Sequence, residues 1–116
     1  MNAPGLDWKS VYAAMHRDGE AAFPPAALHY VLQIVRASAK TDTRPEALIA
    51  TFRRALRNDF GPLLGDVVTE WNIRNPADFG RAILLLGKYR CLSLEPSDTA
   101  EAFAADGRAF HEEPAG

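Results

Sequence analysis

Apolar residues recur along this chain at helical spacing, and turn-forming residues divide them into five or six blocks. In the first block Trp8, Val11, Tyr12 and Met15 stand at i, i+3, i+4 and i+7, the positions that line one face of a helix. Asp7 ahead of them is a good N-cap, and Leu6 with Val11 has the spacing of a hydrophobic staple, so a helix is predicted from Trp8 to about Arg17. Gly19 lies just past its end, where a residue tolerating positive φ is useful. Pro24 and Pro25 suit a first turn, because proline has no N–H to give to a preceding turn. Leu28, Val31, Leu32 and Val35 then form a stripe with Tyr30 and Ile34 beside it, which predicts a second helix from Pro25 to about Ala39, with Phe23 under its start.

Thr43 and Glu46 have the form of a capping box, with Arg44 and Pro45 in the first turn of a third helix. Leu48, Ile49, Phe52, Ala55 and Leu56 give its buried face, and Arg53, Arg54 and Arg57 fall largely elsewhere. Gly61 and Pro62 interrupt the pattern and predict a kink or a new start. Leu63, Leu64, Val67, Val68 and Trp71 make the fourth helix, which Asn72 can close in a left-handed conformation. Asn75 and Pro76 are an N-cap and N1 pair for a fifth helix that carries Phe79, Ile83 and Leu86 inward and ends near Tyr89.

Beyond it, Arg90 to Leu94 reads as extended, a short strand or strand-like edge. Asp98 with Glu101 predicts one more short helix using Phe103, to about Ala105. The expected fold is all-α: a compact bundle of five to six short helices formed by residues 1–105. Residues 106–116 read as an acidic tail in which Phe110 is the one candidate for docking. With at most one or two strands, an α/β sheet with a nucleotide crevice is not expected.

Composition narrows the class. A chain of 116 residues with 47% hydrophobic and 24% charged residues is ordinary globular usage for one domain with one core. The longest strongly apolar run, Ala82 to Gly87, is far shorter than the roughly 20 residues of a membrane span, and no basic patch leads into an apolar stretch near the N-terminus. Those features predict a cytoplasmic protein that does not engage a membrane. Cys91 is the single cysteine, so no intramolecular disulfide and no multi-cysteine zinc site can form. Its neighbours are apolar enough for it to act as a small buried hydrophobe, with a reactive thiol as the alternative.

The net charge of −2 is unevenly spread. Six basic and three acidic residues lie between Arg36 and Asp59, whereas Ser93 to Gly116 carries six acidic residues against Arg108 alone. A basic middle and an acidic end can attract each other, or compete for a partner.

Phe60-Gly61-Pro62, Trp71-Asn72-Ile73-Arg74 and Asp78-Phe79-Gly80 carry, at these spacings, a likeness beyond periodicity. From Pro24 to Phe103 the chain resembles a conserved hypothetical family of small helical bacterial proteins, chiefly from Planctomycetes and Verrucomicrobia. Members usually have Gly after the Trp, where Asn72 stands here, and a Gly-Leu-Leu-like end to the fifth helix, where this chain has Cys91-Leu92. The resemblance implies a helical fold and no assigned activity.

Motifs with chemical meaning resolve mostly into structural roles. Asp78-Phe79-Gly80 spells the magnesium motif of kinases, but the Gly-rich loop, strand lysine and catalytic loop are missing. Asp78 at N3 complements the positive helix end, Phe79 enters the core and Gly80 permits close approach of another backbone. His16, His29 and His111 share neither a helical face nor ligand spacing, so no metal or other cofactor is expected. No nucleophile has a His nearby or a Gly-rich turn to present it, and Glu112 and Glu113 lie in the expected tail. The sequence thus predicts a protein that is not an enzyme.

What is left is binding. Arg53 and Arg57 stand one helical turn apart and with Arg54 form a candidate patch for phosphate or carboxylate, or else a solvated face paired with Glu46, Asp59 or the acidic end. The fourth and fifth helices, 62–71 and 76–89, have the outline of a helix-turn-helix in which Arg74, Arg81, Lys88 and Arg90 would meet DNA, although Asp78 would repel phosphate. The candidate interaction surface is therefore Arg53, Arg54, Arg57, Arg74, Arg81 and Arg90. The expected function is a non-catalytic protein-interaction or assembly module, its aromatic and Arg residues being usual contact anchors. The alternative is a winged-helix-like nucleic-acid binder.

Overall fold

Proline and a few left-handed residues set the element boundaries. The computed structural model describes residues 8–38, 44–96, 98–105 and 107–110, and among these the backbone forms six α-helices, one 3-10 turn and no strand. They are α1 (Trp8–Arg17), α2 (Pro25–Ala37), α3 (Pro45–Phe60), α4 (Leu64–Trp71), α5 (Pro76–Lys88) and α6 (Ala100–Ala104), with the 3-10 turn at Gly61–Leu63 between α3 and α4. Three helices begin on a proline, at Pro25, Pro45 and Pro76, where the missing N–H costs no intrahelical bond. Pro62 converts the α3 to α4 junction into the tighter turn. This chain is all-α, a bundle of short helices, and none of its described helices is long and apolar enough to cross a membrane.

Three helix ends close in the same way. After α1 the Glu20 N–H reaches the Met15 carbonyl at 2.7 Å, after α4 Ile73 reaches Val68 at 3.1 Å, and after α5 Cys91 reaches Leu86 at 2.9 Å. Each closure passes through one residue with positive φ: Gly19 (73°), Asn72 (61°) and Arg90 (63°). The paired bonds satisfy carbonyls that the helix end would otherwise leave open.

The last of these closures corrects the extended segment expected at Arg90 to Leu94. The N–H groups of Arg90 and Cys91 are consumed by Gly87 and Leu86, so the chain turns back onto α5 instead of offering a strand edge. The caps differ too. Arg44, not Thr43, occupies the N-cap of α3 and makes no side-chain cap bond, while Thr43 itself lies outside the described residues. Thr99 caps α6 by accepting the Ala102 N–H at 3.1 Å, and Asp98 instead takes the Glu95 N–H at 2.8 Å. The proposed staple of Leu6 and cap of Asp7, and the last residue of the predicted second helix, Ala39, also lie outside the described residues.

The core sits between α2, α3, α5 and α6. Phe52 of α3 stacks on Phe79 of α5 with ring centroids 4.2 Å apart, and Phe103 of α6 meets Phe79 edge-on at 5.9 Å. Phe110 completes the group, edge-on to Phe52 at 5.1 Å and to Phe79 at 6.2 Å. All four rings are fully buried, so the end of the described chain contributes a core side chain. Burying a ring of this size contributes about 1.5–3 kcal/mol. That gain explains why a segment rich in small and charged residues is held at all.

Candidate anion-binding cleft

The cleft arises from the way α3 presents its charged face. Glu46, Ala50, Arg53 and Arg57 follow one another at steps of three or four, so they fall on one stripe of the helix, with Ile49, Arg54 and Asn58 alongside. Together with Arg108, from the segment that packs across α3, they line an open cleft of about 380 Å³. Four arginines thus line the cleft, and the one carboxylate residue among the described residues of its lining is Glu46, which lies 3.7 Å from Arg44. Arg57 and Arg108 make further contacts of their own.

Arg53 is the residue that joins the two walls. It is only 7% exposed, which a charge tolerates when its donors are satisfied. One guanidinium nitrogen donates to the carbonyl of Ala109 at 3.1 Å and the other to that of Arg108 at 3.2 Å. Its face lies over the Phe110 ring, 5.0 Å from the centroid. The Phe110 N–H donates to the carbonyl of Arg74 at 2.8 Å. Arg53 is therefore not a surface side chain, as its place in the predicted patch requires, but a buried cation that fastens residues 108–110 to α3. The planar fork of arginine fits this task, since it holds two carbonyls and a ring at once.

Of the six residues singled out by the sequence, the structure brings Arg53, Arg54 and Arg57 to one place and leaves Arg74, Arg81 and Arg90 outside it. Arg54 is exposed and makes no ion pair among the described residues, while Arg57 is half-buried in the cleft wall. Arg74 donates its N–H to Asp78 at 3.0 Å, and Arg81 is ion-paired with the same carboxylate. Arg90 stands in the left-handed turn after α5. Arg108 is the member that sequence reasoning missed. Its signal was the aromatic two residues later, which anchors the backbone that carries it.

The would-be DNA-contacting face of α5 is electrically occupied. Asp78 accepts from the Arg74 backbone and pairs with Arg81, and its own N–H donates to the Asn75 side chain at 3.0 Å. Lys88 lies 2.7 Å from Glu20, whose carboxyl is held below the usual range by hydrogen bonds from Lys88 and Tyr89. The two cations on this face are each matched by a carboxylate.

Two further hollows carry less chemistry. One is mainly apolar, between Ala22 and Phe23 on one side and Leu84 and Leu85 on the other. The second lies beside Cys91 and is walled by Val35, Leu48, Ile83 and Leu92. Burial pushes the Cys91 thiol up, away from the thiolate that nucleophilic chemistry needs, and so the bland reading of this residue fits its surroundings. Among the described residues no group of three or more His, Cys, Asp and Glu side chains could hold a metal ion. Comparisons with family models, with curated proteins and with solved structures find no match.

Proposed function

We propose that this protein is a non-catalytic protein-interaction module that receives an acidic segment of a partner protein in the cleft of α3. The observation that carries the reading is the convergence of Arg54, Arg57 and Arg108 on one opening, with Arg53 behind them holding the Arg108 segment against α3 through its carbonyl partners. Guanidinium groups bind carboxylates through paired N–H donors, and a cleft wall held in place before binding loses little further freedom. Ile49 and Ala50 give the same cleft an apolar strip, which suits a peptide carrying an apolar residue beside its carboxylates.

The features that favour a peptide over nucleic acid are electrostatic. Glu46 sits within the cleft, the cations of α5 are matched by Asp78 and Glu20, and the chain as a whole carries −2. A duplex presents a phosphate charge about every 1.7 Å and rewards an extended positive face, which this surface does not offer.

Fluorescence anisotropy with a labelled Glu-rich hexapeptide and, separately, a labelled DNA duplex tests the reading. The peptide is expected to bind at low salt, and the double change Arg54→Ala with Arg57→Ala is expected to weaken it about tenfold, the effect of roughly 1.4 kcal/mol. Silence of the peptide at low salt would reduce the cleft to a solvated face. Tighter binding of the duplex, lost on changing Arg81 and Arg90 to Ala, would replace the proposal with the nucleic-acid one.

A further inference from the structure

We infer that filling the cleft and docking the Phe110 segment are one coupled equilibrium, so that an acidic ligand tightens a C-terminal latch and the latch in turn sets the affinity for the ligand. The inference rests on the peptide-binding reading of the cleft and adds its regulation.

The two walls of the cleft have different origins. Glu46 through Asn58 belong to α3 and stay where the helix is, but Arg108 belongs to a short segment with no helix of its own. Among the contacts that hold that segment are the Arg53 donors on the carbonyls of Arg108 and Ala109, the Phe110 ring among Phe52, Phe79 and Arg53, and the Phe110 N–H on the Arg74 carbonyl. Releasing them would carry Arg108 away from Arg54 and Arg57. It would also uncover the rings of Phe52 and Phe79 and strip the buried guanidinium of Arg53 of its two carbonyls.

A carboxylate-bearing peptide spanning the cleft touches both walls when the segment is docked and one wall when it is released. It therefore binds the docked state more tightly, and a ligand shifts a two-state equilibrium by its difference in affinity for the two states. Reciprocity follows from linkage: the factor by which docking raises the peptide's affinity is the factor by which the bound peptide favours docking. A latch weakened enough to depopulate the docked state lowers the apparent affinity by the fraction lost. Arg53 is the positioning residue of this device, because its guanidinium belongs to the latch and to the cleft lining together.

Hydrogen exchange on the full chain tests the coupling, with the Glu-rich hexapeptide as probe. The Phe110 amide, bonded to Arg74, reports the docked state, and the Ile73 amide in the α4 closure serves as the reference. At a peptide concentration ten times Kd, exchange at Phe110 is expected to slow by up to about tenfold with Ile73 unchanged, following the 1 + [L]/Kd dependence of a ligand that binds one state only. In Arg108→Ala, which keeps Phe110 and the carbonyl contacts, the slowing is expected to disappear and affinity to fall several-fold. Phe110→Leu, milder than removal of the ring, is expected to raise Kd while far-UV circular dichroism stays unchanged. Peptide binding to the unaltered protein with no change, or with faster exchange, at Phe110 would overturn the coupling and leave the peptide reading standing. A uniform slowing at Phe110 and Ile73 would also overturn it, as simple stabilisation of the whole fold. No peptide binding at all would remove both.

Discussion

Replacing Gly80 by alanine sets helix propensity against packing in a way the structure can decide. A Cβ on Gly80 would stand 2.5 Å from the Cβ of Phe103 and 2.7 Å from its Cγ, against the roughly 3.5–4.0 Å at which carbon atoms attract. The obstructing atom is the root of a fully buried side chain and not its tip, so relief requires α6 itself to move away from α5. Overpacking of this kind costs about 1–3 kcal/mol, and a backbone shift argues for the upper end. Alanine in a helix returns about 1 kcal/mol. The net expectation is a loss of about 2 kcal/mol, or a fall in Tm of roughly 8 °C for a domain of this size. Gly87→Ala is the matched control, because its Cβ would meet the branched end of Leu94, 2.5 Å away at Cγ, and Leu94 is 41% exposed and free to swing outward. There the propensity gain should win, by about 0.5 kcal/mol once the rotamer change is counted. Urea denaturation followed by circular dichroism at 222 nm gives both values. A Gly80→Ala protein within about 0.5 kcal/mol of the parent, or more stable than Gly87→Ala, would refute the packing argument.

Other expectations follow from single observations. Arg90 holds φ of 63°, a conformation that costs an L side chain about 1–2 kcal/mol, so Arg90→Gly should raise stability by about 0.5–1 kcal/mol after the entropy of the unfolded glycine is subtracted; a loss in urea denaturation would contradict it. Because the Glu20 carboxyl titrates below its usual range in the folded state, its contribution is present above the unfolded value and lost as pH falls through the folded one. Glu20→Gln should therefore be less stable than the parent at pH 7 and no less stable near pH 2, and a gap that ignores pH would count against the Lys88 and Tyr89 contacts. Burial raises the Cys91 thiol, so at pH 8 a disulfide reagent should react with the native protein at least tenfold more slowly than with the urea-unfolded chain, equal rates being the contrary result.

The parts of the fold that could be read from the sequence were those fixed by local chemistry. Pro25, Pro45 and Pro76 start helices wherever they occur in this pattern, and Gly61-Pro62 breaks one, because these effects depend on a missing N–H and a fixed φ and not on distant partners. Asn75 and Asn72 behaved as a cap and a left-handed closure for the same reason. Gly80 was legible as a site of close approach, but what approaches is the Phe103 side chain and not, as expected, another backbone. The strand expected at Arg90 to Leu94 failed because arginine gives no local sign of adopting positive φ. What forces it is the burial of Cys91 and the satisfaction of the Leu86 and Gly87 carbonyls, both consequences of tertiary packing.

The same distinction explains the cleft. Helical spacing was enough to place Arg54 and Arg57 together, since both sit on α3. It could not place Arg53, which differs from them only in what lies above it. Residues 108–110 are 55 or more positions away in sequence, and by covering Arg53 they turn a surface cation into a fastening. Arg108 was hidden for the complementary reason: it is the lone base in an acidic stretch, and its position is set by the neighbouring Phe110, whose ring finds its socket only when α3 and α5 have packed. One buried ring thus decides the burial of one arginine and the placement of another. The charge pattern of α3 is therefore a poor guide to its binding surface until the aromatic that closes over it is identified, and the first substitution to make when mapping this surface is at Phe110, with Arg54 and Arg57 next.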